Sequence, residues 1–412
     1  MAFQQGLSGL NTSAKALDVT GNNIANSSTV GFKTSSAHFG DVYANSLAGS
    51  GANQIGIGVN LAAVQQQFSQ GNITTTNNPL DISINGAGFF RMDQNGAVTY
   101  TRNGQFHTDR EGYIVNDQSL RLTGYGVDSS GTIVNAAPAP LQISSEQLPP
   151  LATNLAGNVD AVINLDSRDP VPTVPVFDYT DPDSYNYSTS LSVYDTLGNP
   201  HTLTTYYVRT GAGSWNVYAT LDGANPQALG GGALTFNTSG ALLPLGGPNT
   251  RTLPSFALTT GAATPWSPGT IDYAGTTQYG SAFGVEQLAQ GGYASGRLVG
   301  LSVTSDGMVQ GRYSNGQTRN QGQIVLTNFT NPNGLAPQGN NQWVETSVSG
   351  APLVGAPNTA SLGVLQSASV EESNVDLTAE LVNMITQQRN YQANAQTIKT
   401  QDQIMNTLVN LR

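Results

Sequence analysis

The chain is 412 residues long, room for roughly two or three domains. Only 10% of it is charged, against about 25% in an ordinary soluble protein, so its surface must be built largely of Ser, Thr, Asn, Gln and Gly. The formal net charge of -11, with no local Lys/Arg cluster to offset it, works against nucleic acid and anionic membranes as partners; the absence of cysteine excludes disulfides, thiolate catalysis and cysteine-based metal sites.

The opening residues, MAFQQGLSGL, lack the basic region and continuous apolar core of a cleaved secretory signal, and no run approaches the roughly 18 apolar residues of a membrane span. Membrane insertion is therefore not expected. Phe3, Leu10, Leu17 and Ile24 recur every seven residues, with Leu7, Ala14 and Gly21 between them at the second seam position. This spacing predicts a helix with a coiled-coil-like apolar seam. It runs into GNNIANSSTVGFK, residues 21–33, where each residue type suggests a role. Gly21 and Ala25 permit close approach of a neighbouring helix, and Asn22, Asn23 and Asn26 offer it uncharged hydrogen bonds. Gly31 is expected to end the helix and Phe32 to anchor the outgoing linker. The glycine-rich GSGANQIGIG that follows at 49–58 lacks the strand-turn-helix setting of a phosphate cradle.

The interior is predicted to be mainly β. Asn-Gly at 85, 95, 103, 315 and 333 and Asp-Gly at 222 and 306 are hairpin signals, set among short alternating runs such as TSLSVYDTLGNPHTLTTYYVR, SWNVYATL and GQIVLTNF. Composition shifts near 146–154 and 288–296 enclose a block rich in Pro, Gly and Thr, and the flanks on either side of it share one texture. The expected layout is an outer β domain, 149–292, inserted into an inner β domain formed by 71–148 and 293–366. The N-terminal helix and linker (1–70) and a C-terminal helix (367–412) complete an α-helical terminal domain.

Chemistry-bearing motifs are scarce. His38, His107 and His201 are scattered, and no GxSxG, HExxH or Walker A pattern occurs, so no catalytic residue, cofactor or metal ligand set is assigned. DYTDPDS, 178–184, lacks the glycine and terminal Glu of a calcium loop and reads as a solvated turn. Tyr206, Tyr207, Trp215 and Tyr218 have the makings of a sugar platform, but aromatics on alternating strands more often form core and cross-strand contacts.

At the C-terminus Asp376 is a plausible N-cap, and Leu377, Met384, Tyr391, Ile398 and Met405 again recur every seven. The second row, from Leu381 through Gln388, Ala395 and Asp402, alternates apolar with polar or small residues, and the free faces are rich in amides. One full and one half seam leave apolar surface that the pair of terminal helices cannot cover alone. Repeated copies, packed side by side, would cover it.

Several of these stretches carry a family resemblance. SGLNTSAKALDVTGNNIANSSTVGFK resembles the N-terminal signature of flagellar axial proteins of the rod and hook, and ESNVDLTAELVNMITQQRNYQANAQTIKTQDQIMNTLVNLR resembles the hook-type C-terminus. LDISINGAGFFRM, TYTRNGQF and LTGY are similar to inner-domain motifs of the same family, and the nearly two hundred residues from LTGY to GQIVLTNF favour hook over rod. The resemblance implies a non-enzymatic subunit of a helical homo-oligomeric tube, exported through the flagellar type III apparatus without a cleaved signal to an extracellular hook. It further implies the rod, hook cap and hook-filament junction proteins as partners, and terminal helices lining a channel, with Gln392, Gln396 and Gln403 as its expected facing. A distal rod protein is the near alternative and a secreted β-rich carbohydrate-binding protein or glycosidase the remote one.

Overall fold

A computed structural model describes residues 2–42, 56–128, 130–243 and 249–410, so most of the glycine-rich stretch at 49–58 lies outside the described residues. The fold is mainly β with a helix at each end: α1, Ala2–Ala25, and α2, Leu377–Asn410. At about 1.5 Å per residue the 34 residues of α2 extend about 50 Å. Its start is capped as the sequence suggests, Asp376 Oδ1 accepting from the backbone N–H of Thr378 at 2.9 Å and of Ala379 at 3.1 Å. Among the described residues no helix is long and apolar enough to cross a membrane.

The chain divides into two compact units, residues 1–145, 300–312 and 318–412 forming the first and 146–299 with 313–317 the second. In the first, α1 is followed by the antiparallel strands β1 (Ser35–Val42) and β2 (Gly58–Gln66), which pack against it. Next come β3 (Ile73–Thr75) and β4 (Ile82–Asn85), whose partners lie almost three hundred residues downstream. Thr75 pairs with Ser369 and Ile73 with Glu371, while Ile82 pairs with Ser367 and Asn85 with Val364. Both ends of the chain therefore leave the β structure side by side. The apolar interior beneath them includes Ile82, Ile84, Phe90 and Leu365, all nearly or fully buried, and an edge-to-face group of Phe68, Phe89 and Trp343.

The second unit packs two sheets on one core. Tyr187–Tyr194, Pro200–Gly211, Ser214–Leu221 and Ala224–Ala228 form an antiparallel meander, and Val159–Asn164 lies between Gly284–Ala289 and Thr270–Asp272 in the other sheet. Tyr207 and Trp215 point into this core with no exposure, whereas Tyr206 and Tyr218 lie on the opposite face under Phe177, which stacks on Tyr218 at 4.2 Å. The four aromatics thus form no common platform.

The turn dipeptides divide by backbone angle. Asn95-Gly96 and Asp222-Gly223 have positive φ at both residues and close two-residue hairpins, as their chemistry suggests. Asn333-Gly334 instead sits in the short 3-10 turn Pro332–Gly334, and Gly104 accepts from the Ile82 N–H at 2.8 Å, so neither dipeptide makes a hairpin.

Candidate functional site: the terminal helices and their ionic root

The two terminal helices pack together, but the face α1 uses is not its apolar seam. A Cβ added to Gly6 would lie 3.1 Å from Ile398 Cγ1, and one added to Gly9 would lie 2.9 Å from the Asn394 side-chain amide, so these glycines permit the approach of α2. With Ser13, Ala16, Thr20 and Asn23, all buried, they form a stripe spaced alternately three and four residues apart. Every member of the stripe is small or polar. The heptad seam lies one residue further on, about 100° around the helix. Phe3 remains 50% exposed and Leu7 44%, while Leu10, Leu17 and Ile24 are half-buried.

α2 is more open still: none of its described side chains from 377 to 407 is buried. Met384 and Ile398 are half-covered, whereas Leu377, Leu381, Tyr391 and Met405 from the expected rows are exposed, as are Val382, Ile385 and Ile404. Gln392, Gln396 and Gln403 are exposed and share a face roughly 140° from Ile398, away from α1.

The asparagine-glycine stretch behaves differently from its sequence reading in three respects. α1 stops at Ala25, six residues before Gly31, because residues 26–31 fold into successive turns. Gly31 does have a positive φ of 71°, but its role is tertiary: its N–H donates to the Glu371 carbonyl at 2.8 Å, and an added Cβ would stand 2.6 Å from the Asn103 nitrogen. Asn23 is used up within the chain, since its Nδ2 donates to the Ser35 carbonyl at 2.8 Å and its Oδ1 accepts from the Ser35 N–H at 2.9 Å. Asn26 Nδ2 donates back to Asn22, to the carbonyl at 3.0 Å and to Oδ1 at 2.6 Å. A Cβ added to Gly21 would meet nothing within 4 Å beyond its own helix, so it is Gly6 and Gly9, not Gly21, that admit the paired helix. Phe32 is buried and lines a groove with Phe68, Leu335 and Trp343.

These contacts set two glycines apart. Gly31→Ala is expected to cost about 1–3 kcal/mol, from a forced left-handed backbone and a clash with Asn103. Gly21→Ala should instead stabilise the isolated chain by up to about 1 kcal/mol through helix propensity. Urea unfolding of both variants checks the contrast, and equal effects would contradict it.

Below the helices lies a group that the sequence did not reveal. Glu371, in the strand that pairs with β3 and six residues before α2, is fully buried. Its Oε1 accepts from Lys33 Nζ at 2.6 Å and from the Gly71 N–H at 2.9 Å, and its Oε2 accepts from Arg102 at 3.1 Å. Lys33 also donates to the Ser69 carbonyl at 2.6 Å, and Arg102 to the Gly86 carbonyl at 2.7 Å. The Arg102 guanidinium sits over the Phe89 ring, 5.5 Å from its centre. Burial pulls the Lys33 ammonium and the Arg102 guanidinium below their ordinary pKa values, with Glu371 opposing the shift in both. One carboxylate thus bridges two cations, and it joins the segment after α1, the β structure and the segment before α2.

Residues 3–33 match the family described as flagella basal body rod protein and residues 366–411 the flagellar basal body rod FlgEFG protein C-terminal family, so both helices and Lys33 and Glu371 fall within matched segments. Residues 83–164 match the flagellar hook protein FlgE/F/G D1 domain and 164–293 the flagellar basal body protein FlaE D2 domain. Over its whole length the chain is 44% identical to the flagellar hook protein FlgE of Escherichia coli (strain K12), covering all of both proteins. The chain belongs to the flagellar hook protein family. Flagellar hook protein FlgE of Brucella suis biovar 1 is 32% identical, over all of this chain and 98% of that protein. The fold matches the crystal structure of Helicobacter pylori flagellar hook protein FlgE2 with a TM-score of 0.54 at 12% identity, over 72% of this chain and all of that one. The chain is a hook subunit, a structural component of the flagellar axis, and full-length identity to hook proteins separates it from the rod proteins that share its end segments.

Proposed function

We propose that the subunit polymerises through its terminal helices into a curved hollow tube that transmits torque as a universal joint. The observation that carries this reading is the bare α2: a 34-residue helix with no buried side chain from 377 to 407 and seven exposed large apolar residues needs neighbours to be stable. The neighbours of matching pattern are the helices of identical copies, joined through Phe3, Leu7, Leu10, Leu17 and Ile24 of α1 and Leu377, Leu381, Met384, Tyr391, Ile398 and Met405 of α2. In this reading α1 and α2 form the innermost layer of the tube.

The uncharged skin suits a tube that bends on every revolution. Short polar contacts and bridging waters exchange at little cost, whereas fixed ion pairs would favour one spacing. Gln392, Gln396 and Gln403 face the channel, and being neutral they hold no transiting chain by Coulomb attraction. The rod, the hook cap, the hook-filament junction and the type III export apparatus are the partners this position requires.

Arg at all three glutamine positions tests the arrangement. Electron microscopy should still show curved, helically ordered tubes, while export of later subunits through them should fall severalfold. Normal export would place these side chains away from the channel, and straight or solid wild-type assemblies would overturn the joint.

A further inference from the structure

The second unit contains a buried histidine whose surroundings fit only one protonation state. His201, at the start of the strand Pro200–Gly211, is 6% exposed in its side chain. Its Nδ1 lies 2.7 Å from Asp222 Oδ2 and its Nε2 lies 3.3 Å from Asp195 Oδ2. A carboxylate oxygen only accepts, and a neutral imidazole has a single N–H, so a neutral ring would aim a lone pair at one of the two oxygens. Both carboxylates are held by further hydrogen bonds. Asp195 is fully buried and also accepts from the backbone of Leu197 and Asn199, the Asn199 side chain and the Thr260 hydroxyl. Asp222 accepts from the Thr202 N–H at 2.8 Å. Against the ring stands Trp266, uncharged, with its centroid 6.0 Å away.

We propose that His201 is a pH-sensitive latch: as the doubly protonated imidazolium it ties the 195–199 turn and the 222–223 hairpin turn together, and through Asp195 it holds the loop carrying Thr260; alkaline surroundings release it. Burial of the ring opposes its charge, but the hydrogen bonds and charges of Asp222 and Asp195 outweigh it and raise the His201 pKa above the ordinary value. Burial likewise opposes ionisation of Asp195, and the Asn199 and His201 hydrogen bonds outweigh it, holding that carboxyl well below the usual range. A raised folded-state pKa contributes stability that is complete below the unfolded value of about 6.5 and disappears as pH rises through the folded one. No other charged group among the described residues bonds to the ring.

The test is an NMR titration of histidine-labelled full-length chain, with the His201 signal assigned by its loss in His201→Gln, alongside thermal unfolding across the same pH range. The expected result is a midpoint above 6.5, a second-unit melting temperature that falls as pH rises from 6.5 through that midpoint, and loss of this slope in His201→Gln. Because Asp222 is half-exposed, Asp222→Asn serves as a milder variant; it should move the midpoint to lower pH in a folded chain. A wild-type midpoint at or below 6.5, or one unmoved by Asp222→Asn, would overturn the latch.

Discussion

Glu371→Gln is expected to destabilise the isolated chain by about 3–5 kcal/mol, the usual cost of removing one partner from a buried ionic group. The substitution keeps the shape and leaves Gln an oxygen for the Gly71 N–H, so little of the loss comes from packing. What changes is charge. The buried group carries a net charge of +1 with Glu371 present and +2 without it, and among the described residues neither Lys33 nor Arg102 has a second carboxylate bonded to it. Adding Lys33→Met to Glu371→Gln restores +1 and should recover part of the loss, although Lys33→Met alone leaves the Ser69 carbonyl with only the longer bond from Asn374 Nδ2 at 3.2 Å. Urea unfolding of the single and double variants measures this; a Glu371→Gln cost below about 1 kcal/mol would show that the group is not what holds the ends of the chain together.

The second large effect separates folding from assembly. Leu377→Gln, Leu381→Gln and Met405→Gln together should change the stability of the isolated chain by no more than about 0.5 kcal/mol per site, since these side chains are 46%, 44% and 58% exposed and Gln has similar helix propensity. In the polymer the remaining surface of each would be covered, worth roughly 1 kcal/mol apiece. Losing three such contributions raises the critical concentration for polymerisation about 100-fold. Sedimentation of assembled material across a concentration series reads that shift directly. An unchanged critical concentration would remove these rows from the interface.

The heptad spacing, the Asp376 cap and the alternating strands were legible because each depends on residues close in sequence. Periodicity shows that a helix has a stripe, but not which stripe its own subunit covers. The α1 residues that meet α2 include the inconspicuous Gly6 and Gly9, in a buried row with Ser13 and Ala16 that leaves the apolar seam half-open. The end of α1 was misplaced for a related reason. Gly31 has the positive φ expected of a helix terminator, but that conformation serves a contact with Asn103 and Glu371, residues far along the chain. Asn23 looked free to bond a neighbour because its partner, Ser35, comes into reach only after the turns at 26–31. Lys33 and Glu371 are 338 positions apart, and no local pattern links them. The one hint in the sequence was the rarity of charge itself, in a chain that is 10% charged.

The terminal helices are expected to complete their burial only against identical copies. Electron cryomicroscopy of the assembled hook, at a resolution that shows side chains, tests it most directly. Phe3, Leu7, Leu377, Leu381, Tyr391 and Met405, all exposed in the single subunit, are expected to be enclosed by α1 and α2 of adjacent subunits. A tube in which those side chains still face solvent, with subunits joined only through their β units, would contradict it.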